Sequence, residues 1–98
     1  MIESSLDASS VKEALGRIAK QADFLDVVVH AGRGSQQRSY HASIDDACTA
    51  LLSGRALAVK LSYRVADSAW SDTLTPAAQG FRLLRVERTL GGWSLGGD

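Results

Sequence analysis

The chain has 98 residues, of which 45% are hydrophobic and 22% are charged, a composition typical of globular rather than disordered proteins. Eleven basic residues balance eleven acidic ones, so the chain lacks the net positive charge that drives non-specific binding to nucleic acid, and its neutrality favours self-association. This length predicts a single domain over residues 1–98, with flexible ends at residues 1–8 and 91–98.

The sequence also indicates the cellular location of the protein. It contains one cysteine, Cys48, which excludes an intramolecular disulfide. Residues 1–10 lack the features of a secretory signal, and no apolar run is long enough to cross a bilayer. We therefore expect a cytoplasmic protein without a membrane partner. Abundant alanine, together with more arginine than lysine, favours a bacterial origin.

The first predicted element is an amphipathic helix. Ser10 and Glu13 have the spacing of a capping box, and apolar residues recur at helical spacing over residues 11–22. Gly16 inside this helix costs about 1 kcal/mol relative to alanine. We therefore expect another backbone to pass close to Gly16.

A strand, a turn and a second helix follow. Three consecutive valines predict a strand over residues 24–30. The glycine-containing segment 31–36 predicts a turn, and residues 38–42 a short polar strand at a sheet edge. Ser43 is a good N-cap for a second amphipathic helix, and Gly54 is well placed to follow its last turn in the left-handed region.

The C-terminal half predicts an antiparallel meander of three strands. Residues 57–65 alternate between apolar and polar side chains, which is typical of a sheet with one covered face. Residues 70–74 return after a hairpin loop, Pro76 ends that strand, and residues 81–88 form the last one. The last strand has apolar residues on both phases, so either both faces are partly covered or a β-bulge near Leu83 and Leu84 shifts the register. We favour the bulge.

These elements predict an α+β fold. The expected architecture is a two-layer sandwich, with two helices packed on one face of a four- to five-stranded antiparallel sheet that includes the C-terminal three-stranded meander. The predicted core consists of Val11, Leu15, Ile18, Val27, Val29, Ile44, Cys48, Leu51, Leu57, Val59, Leu61, Tyr63, Val65, Leu74 and Leu84.

Several residues carry reactive or metal-binding groups, but none forms a convincing site. Cys48 with His30 or His41 resembles a nucleophile–base pair, yet Cys48 lies in an apolar stripe, where cysteine behaves as a small hydrophobe. Both histidines together with Asp26 are acceptable metal ligands, although histidines at strand ends are usually solvated. We predict no catalytic residue, no metal site and no cofactor.

Two further motifs fail for lack of structural context. The glycines around Arg33 follow a strand, but a phosphate cradle also needs a helix that starts directly after them. Ser71 and Asp72, or Ser68 and Asp67, lack the strand–turn–helix setting of a hydrolase nucleophile. A hairpin loop explains the first motif, and we discard the second.

The functional expectation therefore rests on the surface. Trp70, Phe81 and Trp93 are apolar residues without an obvious core position, which favours a non-enzymatic protein-interaction module, expected to be a homodimer. Cations with one aromatic residue on the sheet give an alternative, single-stranded nucleic-acid binding. A small-ligand or enzyme site in a helix–sheet cleft is a second alternative. The predicted interaction surface comprises Lys60, Arg64, Trp70, Phe81, Arg82, Arg85 and Trp93.

Overall fold

The computed structural model describes residues 2–32 and 34–89, which form six strands and two α-helices. In chain order the elements are β1 Ile2–Leu6, α1 Ala8–Gln21, β2 Phe24–Ala31, a short 3-10 turn at Gly34–Gln36, β3 Arg38–His41, α2 Ile44–Leu52, β4 Ala56–Val65, β5 Ser68–Pro76 and β6 Phe81–Thr89.

All six strands form one antiparallel sheet in the order β1-β6-β5-β4-β2-β3. Strands β4, β5 and β6 are the expected meander. Helix α1 leads from the edge strand β1 to β2, and α2 leads from the other edge strand, β3, to β4. Both helices contribute to one core with the sheet, so the predicted α+β fold is confirmed, with six strands rather than four or five. The predicted edge strand at residues 38–42 is confirmed as β3.

Strand β1 was not predicted, because residues 1–8 were expected to be a flexible end. The structure corrects this expectation: β1 pairs with β6, with Ser4 opposite Leu83 and Leu6 opposite Phe81. The turn before β6 fits this neighbour, since Gly80 has φ +85° and a Cβ there would collide with the carbonyl oxygen of Leu6. Segment 91–98, the other expected flexible end, lies outside the described residues.

Helix α1 starts earlier than the capping box predicted. Its N-cap is Asp7, whose carboxylate accepts a hydrogen bond of 2.8 Å from the backbone N–H of Ser10. That hydrogen bond lowers the pKa of the Asp7 carboxyl. Gly16 is a second correction: it is exposed, and apart from its chain neighbours and its own helix backbone no atom lies within 4 Å of where its Cβ would be. No backbone approaches it, so its helix cost is not offset there.

Helix α2 follows the prediction closely. The Ser43 hydroxyl accepts a hydrogen bond of 3.1 Å from the N–H of Asp46, as expected of an N-cap. Gly54 has φ +84°, the left-handed conformation expected just beyond the helix. Both ends of α2 are therefore fixed by local chemistry.

The core lies between the helices and one face of the sheet. The correctly predicted buried residues are Val11, Leu15, Ile18, Val27, Val29, Leu51, Val59, Leu61, Tyr63 and Leu74. The prediction missed the buried residues Ala31, Ala47, Ala50, Ala56 and Leu83, together with two polar residues, Ser71 and Asp72. Four of these missed residues are alanines, whose small side chains do not mark a core position by hydrophobicity alone.

Five predicted core residues occupy other environments. Ile44, Cys48 and Val65 are half-buried against the core. Leu57 is 46% exposed. His30 pairs with Ala58 and Ala31 pairs with Ala56, so this register shift leaves Leu57 without a partner residue in β2. Leu84 is half-buried on the sheet face away from the helices, and Leu83 takes the core position.

The predicted β-bulge in the last strand is wrong. Pairing of β5 with β6 runs in step from Ser68 opposite Thr89 to Pro76 opposite Phe81. Apolar residues on both phases of β6 therefore mean that both of its faces carry apolar side chains. Leu84 and Val86 are half-buried, although no helix of the described chain lies on their face of the sheet, so the alternative of two covered faces stays a prediction.

Candidate functional site

The predicted interaction surface divides between the two faces of the sheet. Lys60 and Arg64 alternate with buried residues along β4, so they project from the face opposite the helices, here called the open face. Arg82 lies on the same face of β6, where it pairs with Glu3 of β1 at 3.2 Å. Phe24, 58% exposed, stands opposite Arg64 at the start of β2. The open face thus carries three of the predicted cations.

Three other predicted residues, Trp70, Phe81 and Arg85, lie on the helix-covered face. Trp70 is opposite Tyr63, a core residue, and both Phe81 and Arg85 share the phase of buried Leu83. Trp70 therefore does not join Lys60 and Arg64 to form a cationic and aromatic surface, which corrects that expectation. Trp93 lies outside the described residues.

An uncharged area extends over β4, β5 and β6 on the open face, next to Lys60 of β4. Ser62, Ser71 and Val86 form one row across β4, β5 and β6, and Thr73 with Leu84 forms the next. Ser71 is only 7% exposed, although no helix of the described chain covers this face. The other four residues are half-buried. These five residues are called the central patch.

A rim of charged and polar groups surrounds the central patch. On the β2–β3 side, the Nδ1 atom of His41 lies 2.8 Å from an Asp26 carboxylate oxygen. On the β1–β6 side, Glu3 pairs with Arg82. Within the described residues, Lys60 has no ion-pair partner. Both sheet edges therefore present an acid next to a basic group on the open face.

On the helix-covered face, a fully buried carboxylate organises a polar cluster. Asp72 has 0% exposure and stands between Leu61 and Arg85 in the sheet. Arg85 donates to its two oxygens, from Nε at 3.1 Å and from Nη2 at 2.9 Å, and the Tyr63 hydroxyl donates at 3.0 Å. These hydrogen bonds raise the pKa of Arg85.

The same cluster changes the chemistry of Tyr63. Burial raises the pKa of the Tyr63 hydroxyl, and the negative charge of Asp72 raises it further. The hydroxyl is therefore a fixed donor to Asp72 at neutral pH. It cannot serve as a general base, which would need a pKa closer to neutrality.

A cleft of about 220 Å³ opens beside this cluster, between α1 and strands β4–β6. The helix contributes Arg17 and Gln21, and the sheet contributes Trp70 and Arg85. The arrangement offers cationic donors next to an aromatic wall. It lies between helix and sheet, where the second alternative from the sequence would place a small-ligand or enzyme site.

The two histidines share the β2–β3 hairpin, but they have different partners and only His41 is bonded to Asp26. His30 Nδ1 lies 2.6 Å from the Ser39 hydroxyl, whereas His41 bonds to Asp26. In the part of the chain that the structure describes, no three acidic, histidine or cysteine residues are grouped to hold a metal ion. Because the serine and the carboxylate contact different imidazoles, these residues do not make a hydrolase triad.

Cys48 is separated from both histidines by the sheet. It lies on α2, on the helix side, where burial raises the pKa of its thiol. A raised pKa disfavours the reactive thiolate. The glycine-rich loop leads through a single 3-10 turn into β3, so it is a hairpin connection rather than a phosphate cradle.

Sequence reasoning missed the Asp72–Arg85 pair. Its signal is present in the alternation: Asp72 shares its phase with Leu74, and Arg85 shares its phase with Leu83. The predicted bulge obscured this, because it assigned the apolar phase of β6 to Leu84. With an unbroken register, both charged residues fall on the core phase of neighbouring strands.

Comparison with known proteins finds no matching family model, no matching curated protein and no matching solved structure. Among the described residues, neither helix has the length and apolar character needed to span a membrane. The described residues offer two candidate surfaces, the central patch on the open face and the cleft beside Asp72.

Proposed function

We propose that this chain is a small non-enzymatic protein-interaction module that forms a homodimer through the open face of its sheet. The supporting observation is the central patch, whose five uncharged residues are half-buried to buried although no helix of the described chain lies over them; Lys60, beside Thr73, is the charged residue next to it. We also propose that the protein is bacterial and that it acts in the cytoplasm.

The composition of the central patch differs from that of a solvated sheet face. Solvent-exposed faces of antiparallel sheets normally alternate polar side chains outward, whereas Leu84 and Val86 point away from the helices here. Ser62, Ser71 and Thr73 are small, which lets a second layer approach closely. Two sheets pack face to face about 10 Å apart when their facing side chains interdigitate.

The open face is large enough for a stable interface. The described residues extend 37 × 31 × 22 Å, and a two-layer molecule of this thickness presents its broad side as the sheet. A standard interface buries roughly 800 Å² on each partner. One sheet face of these dimensions supplies that area.

A second copy of the chain is the occupant that this face fits best. One row across the sheet consists, from β6 to β2, of Leu84, Thr73, Lys60 and Val28. Consider a two-fold axis that lies in the interface, parallel to the strands and between β4 and β5. Because β6 and β2 are equally distant from this axis, the rotation places Leu84 of one copy over Val28 of the other. The same rotation places the Glu3 edge over the His41 edge of the second copy, and each edge carries an acid paired with a basic group. The neutral net charge of the chain adds no long-range repulsion.

Light scattering after size-exclusion chromatography tests this directly. We expect a dimer for the wild type and a monomer for Leu84→Arg, because a charge in the central patch would be desolvated without a partner. Ala19→Arg adds the same charge on the exposed side of α1 and should stay dimeric. A wild type that is monomeric at high concentration, or a dimeric Leu84→Arg variant, would contradict the proposal.

Single-stranded nucleic-acid binding is the alternative that Phe24 favours, since this exposed aromatic stands beside Arg64 on the open face. It predicts salt-sensitive binding of a labelled oligonucleotide that weakens in Arg64→Ala and Lys60→Ala. Trp70 and Arg85 lie on the other face and do not contribute. Absence of binding at low salt would eliminate this alternative.

A further inference from the structure

The buried Asp72–Arg85 pair is costly for a fold of this size. Removing the Asp72 carboxylate from water costs several kcal/mol, and replacement of buried ion pairs by apolar residues is often neutral or stabilising. The open face does not need the pair, since both side chains lie on the helix side of the sheet. The exposed part of Arg85 lines the cleft on that side.

Asp72 fixes the orientation of Arg85 and leaves part of its guanidinium free. Arginine has five N–H donors, and the hydrogen bonds to Asp72 use Nε and Nη2. The Nη1 group has no hydrogen-bond partner among the described residues. The side chain keeps 31% of its surface exposed, and it lines the cleft. A guanidinium held in place in this way is prepared to bind a carboxylate, because little side-chain entropy is lost.

The other walls of the cleft complete a site for a small anion with a flat body. Arg17 faces the cleft from α1, and its surface pair with Glu13 at 3.4 Å is weak enough to be given up. Trp70 supplies an aromatic wall. A cavity of about 150 Å³ accommodates benzene, so the cleft of about 220 Å³ has room for one ring and a carboxylate.

We propose that the cleft between α1 and strands β4–β6 binds a small aromatic carboxylate. The carboxylate contacts the free end of Arg85 and the guanidinium of Arg17, and the ring lies against Trp70. This inference does not rest on the proposed dimer, because the cleft and the central patch occupy opposite faces of the sheet.

Tryptophan fluorescence measures this binding with benzoate as the probe. The chain has two tryptophans, so the Trp93→Phe variant reports on Trp70 alone. At constant ionic strength, we expect benzoate to change the emission saturably, with half-saturation at about 1 mM, as suits a ligand with few contacts. Benzamide has the same shape without the charge, and we expect it to bind at least about tenfold more weakly.

Two substitutions on the same helix locate the site. Arg17→Gln should raise the half-saturating benzoate concentration about threefold to tenfold, as expected for one charged contact. Lys20→Gln removes the same charge from the exposed side of α1 and should leave it unchanged. Neither residue is buried, so both variants are expected to fold.

Three results would overturn the proposal. The first is an emission that does not saturate up to about 20 mM benzoate. The second is equal binding of benzoate and benzamide, which would exclude recognition of the carboxylate. The third is an equal effect of Lys20→Gln and Arg17→Gln, which would reduce the response to general electrostatics.

Discussion

Beneath α2, the sheet meets three buried apolar residues, Ala47, Ala50 and Leu51, and nothing charged. Beneath α1, the same sheet presents a fully buried carboxylate, Asp72, and a guanidinium beside an open cleft. Both regions belong to one layer and one sheet. The contact between helix and sheet is made by apolar packing under α2, whereas under α1 the sheet also holds a hydrogen-bonded group of charged and polar side chains.

This difference has an energetic meaning. Apolar packing loses stability in proportion to the space left empty, and neighbouring side chains can partly relax into it. A buried carboxylate tolerates no partial loss, because a missing donor leaves its charge uncompensated. The apolar contacts under α2 therefore stabilise the fold even when one of them is reduced. Under α1, the contact is stable only while Asp72 keeps both of its hydrogen-bond donors, Arg85 and Tyr63.

The largest effect should come from the apolar side. Leu51→Ala is expected to lower the free energy of unfolding by about 4 kcal/mol, because Leu51 is 1% exposed and its truncation leaves a cavity. Urea denaturation followed by circular dichroism measures the loss. Leu57→Ala, the same change at a leucine that is 46% exposed, should cost far less. Equal losses would mean that Leu57 is packed against something.

On the polar side, Arg85→Ala should lower the free energy of unfolding by about 3 kcal/mol, since it leaves Asp72 buried without its cation. Arg82→Ala removes a cation three positions away on the open face and should cost at most about 0.5 kcal/mol. The double variant Asp72→Leu, Arg85→Met should recover most of the loss. If the double variant is as unstable as Arg85→Ala, the uncompensated charge is not the cause.

Alkaline pH tests the third member of the cluster. Because the folded pKa of Tyr63 is raised above its ordinary value of about 10, its contribution to stability is fully present below about pH 10 and declines as pH rises beyond it. Tyr63→Phe should cost about 1–2 kcal/mol at neutral pH, and its stability should fall less steeply above pH 10. Parallel alkaline slopes in the two proteins would show that Tyr63 titrates normally.

The smallest predicted effect is a gain. Gly16→Ala should raise the free energy of unfolding by about 1 kcal/mol, because the position is helical and exposed, with open space around it. Gly80→Ala should do the opposite, since Gly80 has φ +85° and faces the carbonyl of Leu6. Thermal unfolding of both variants checks the pair, and a loss of stability in Gly16→Ala would indicate a contact to that face of α1.

The sequence predicted the elements that carry their own local signals. Helix α2 has a cap at Ser43 and a glycine at position 54, and β4 alternates over almost its whole length. Strand β1 has no such signal, because Ile2 and Leu6 enclose three polar residues. Its stability comes from pairing with β6, which is distant in the chain. A prediction from neighbouring residues alone therefore does not detect β1.

The same limit applies to the candidate sites. Lys60 and Arg64 were placed correctly on the solvent side of β4, since that strand alternates clearly. Trp70 was assigned to the same surface before the pairing of β4 with β5 was known. In that pairing Trp70 is opposite Tyr63, which places it on the other face of the sheet. The Asp72–Arg85 pair depends on two strands being in step, and that information lies in their pairing rather than in either strand.

The pairing of β1 with β6 also bears on how the chain folds. It joins Ile2 to Arg85, a contact between nearly opposite ends of the described chain, so it closes the longest loop of any pairing in the sheet. We expect β1 to be added late in folding and to detach first in native-state hydrogen exchange. Its departure uncovers β6 as a free edge, to which the β1 segment of a second chain can pair in its place, giving a route to strand exchange between molecules.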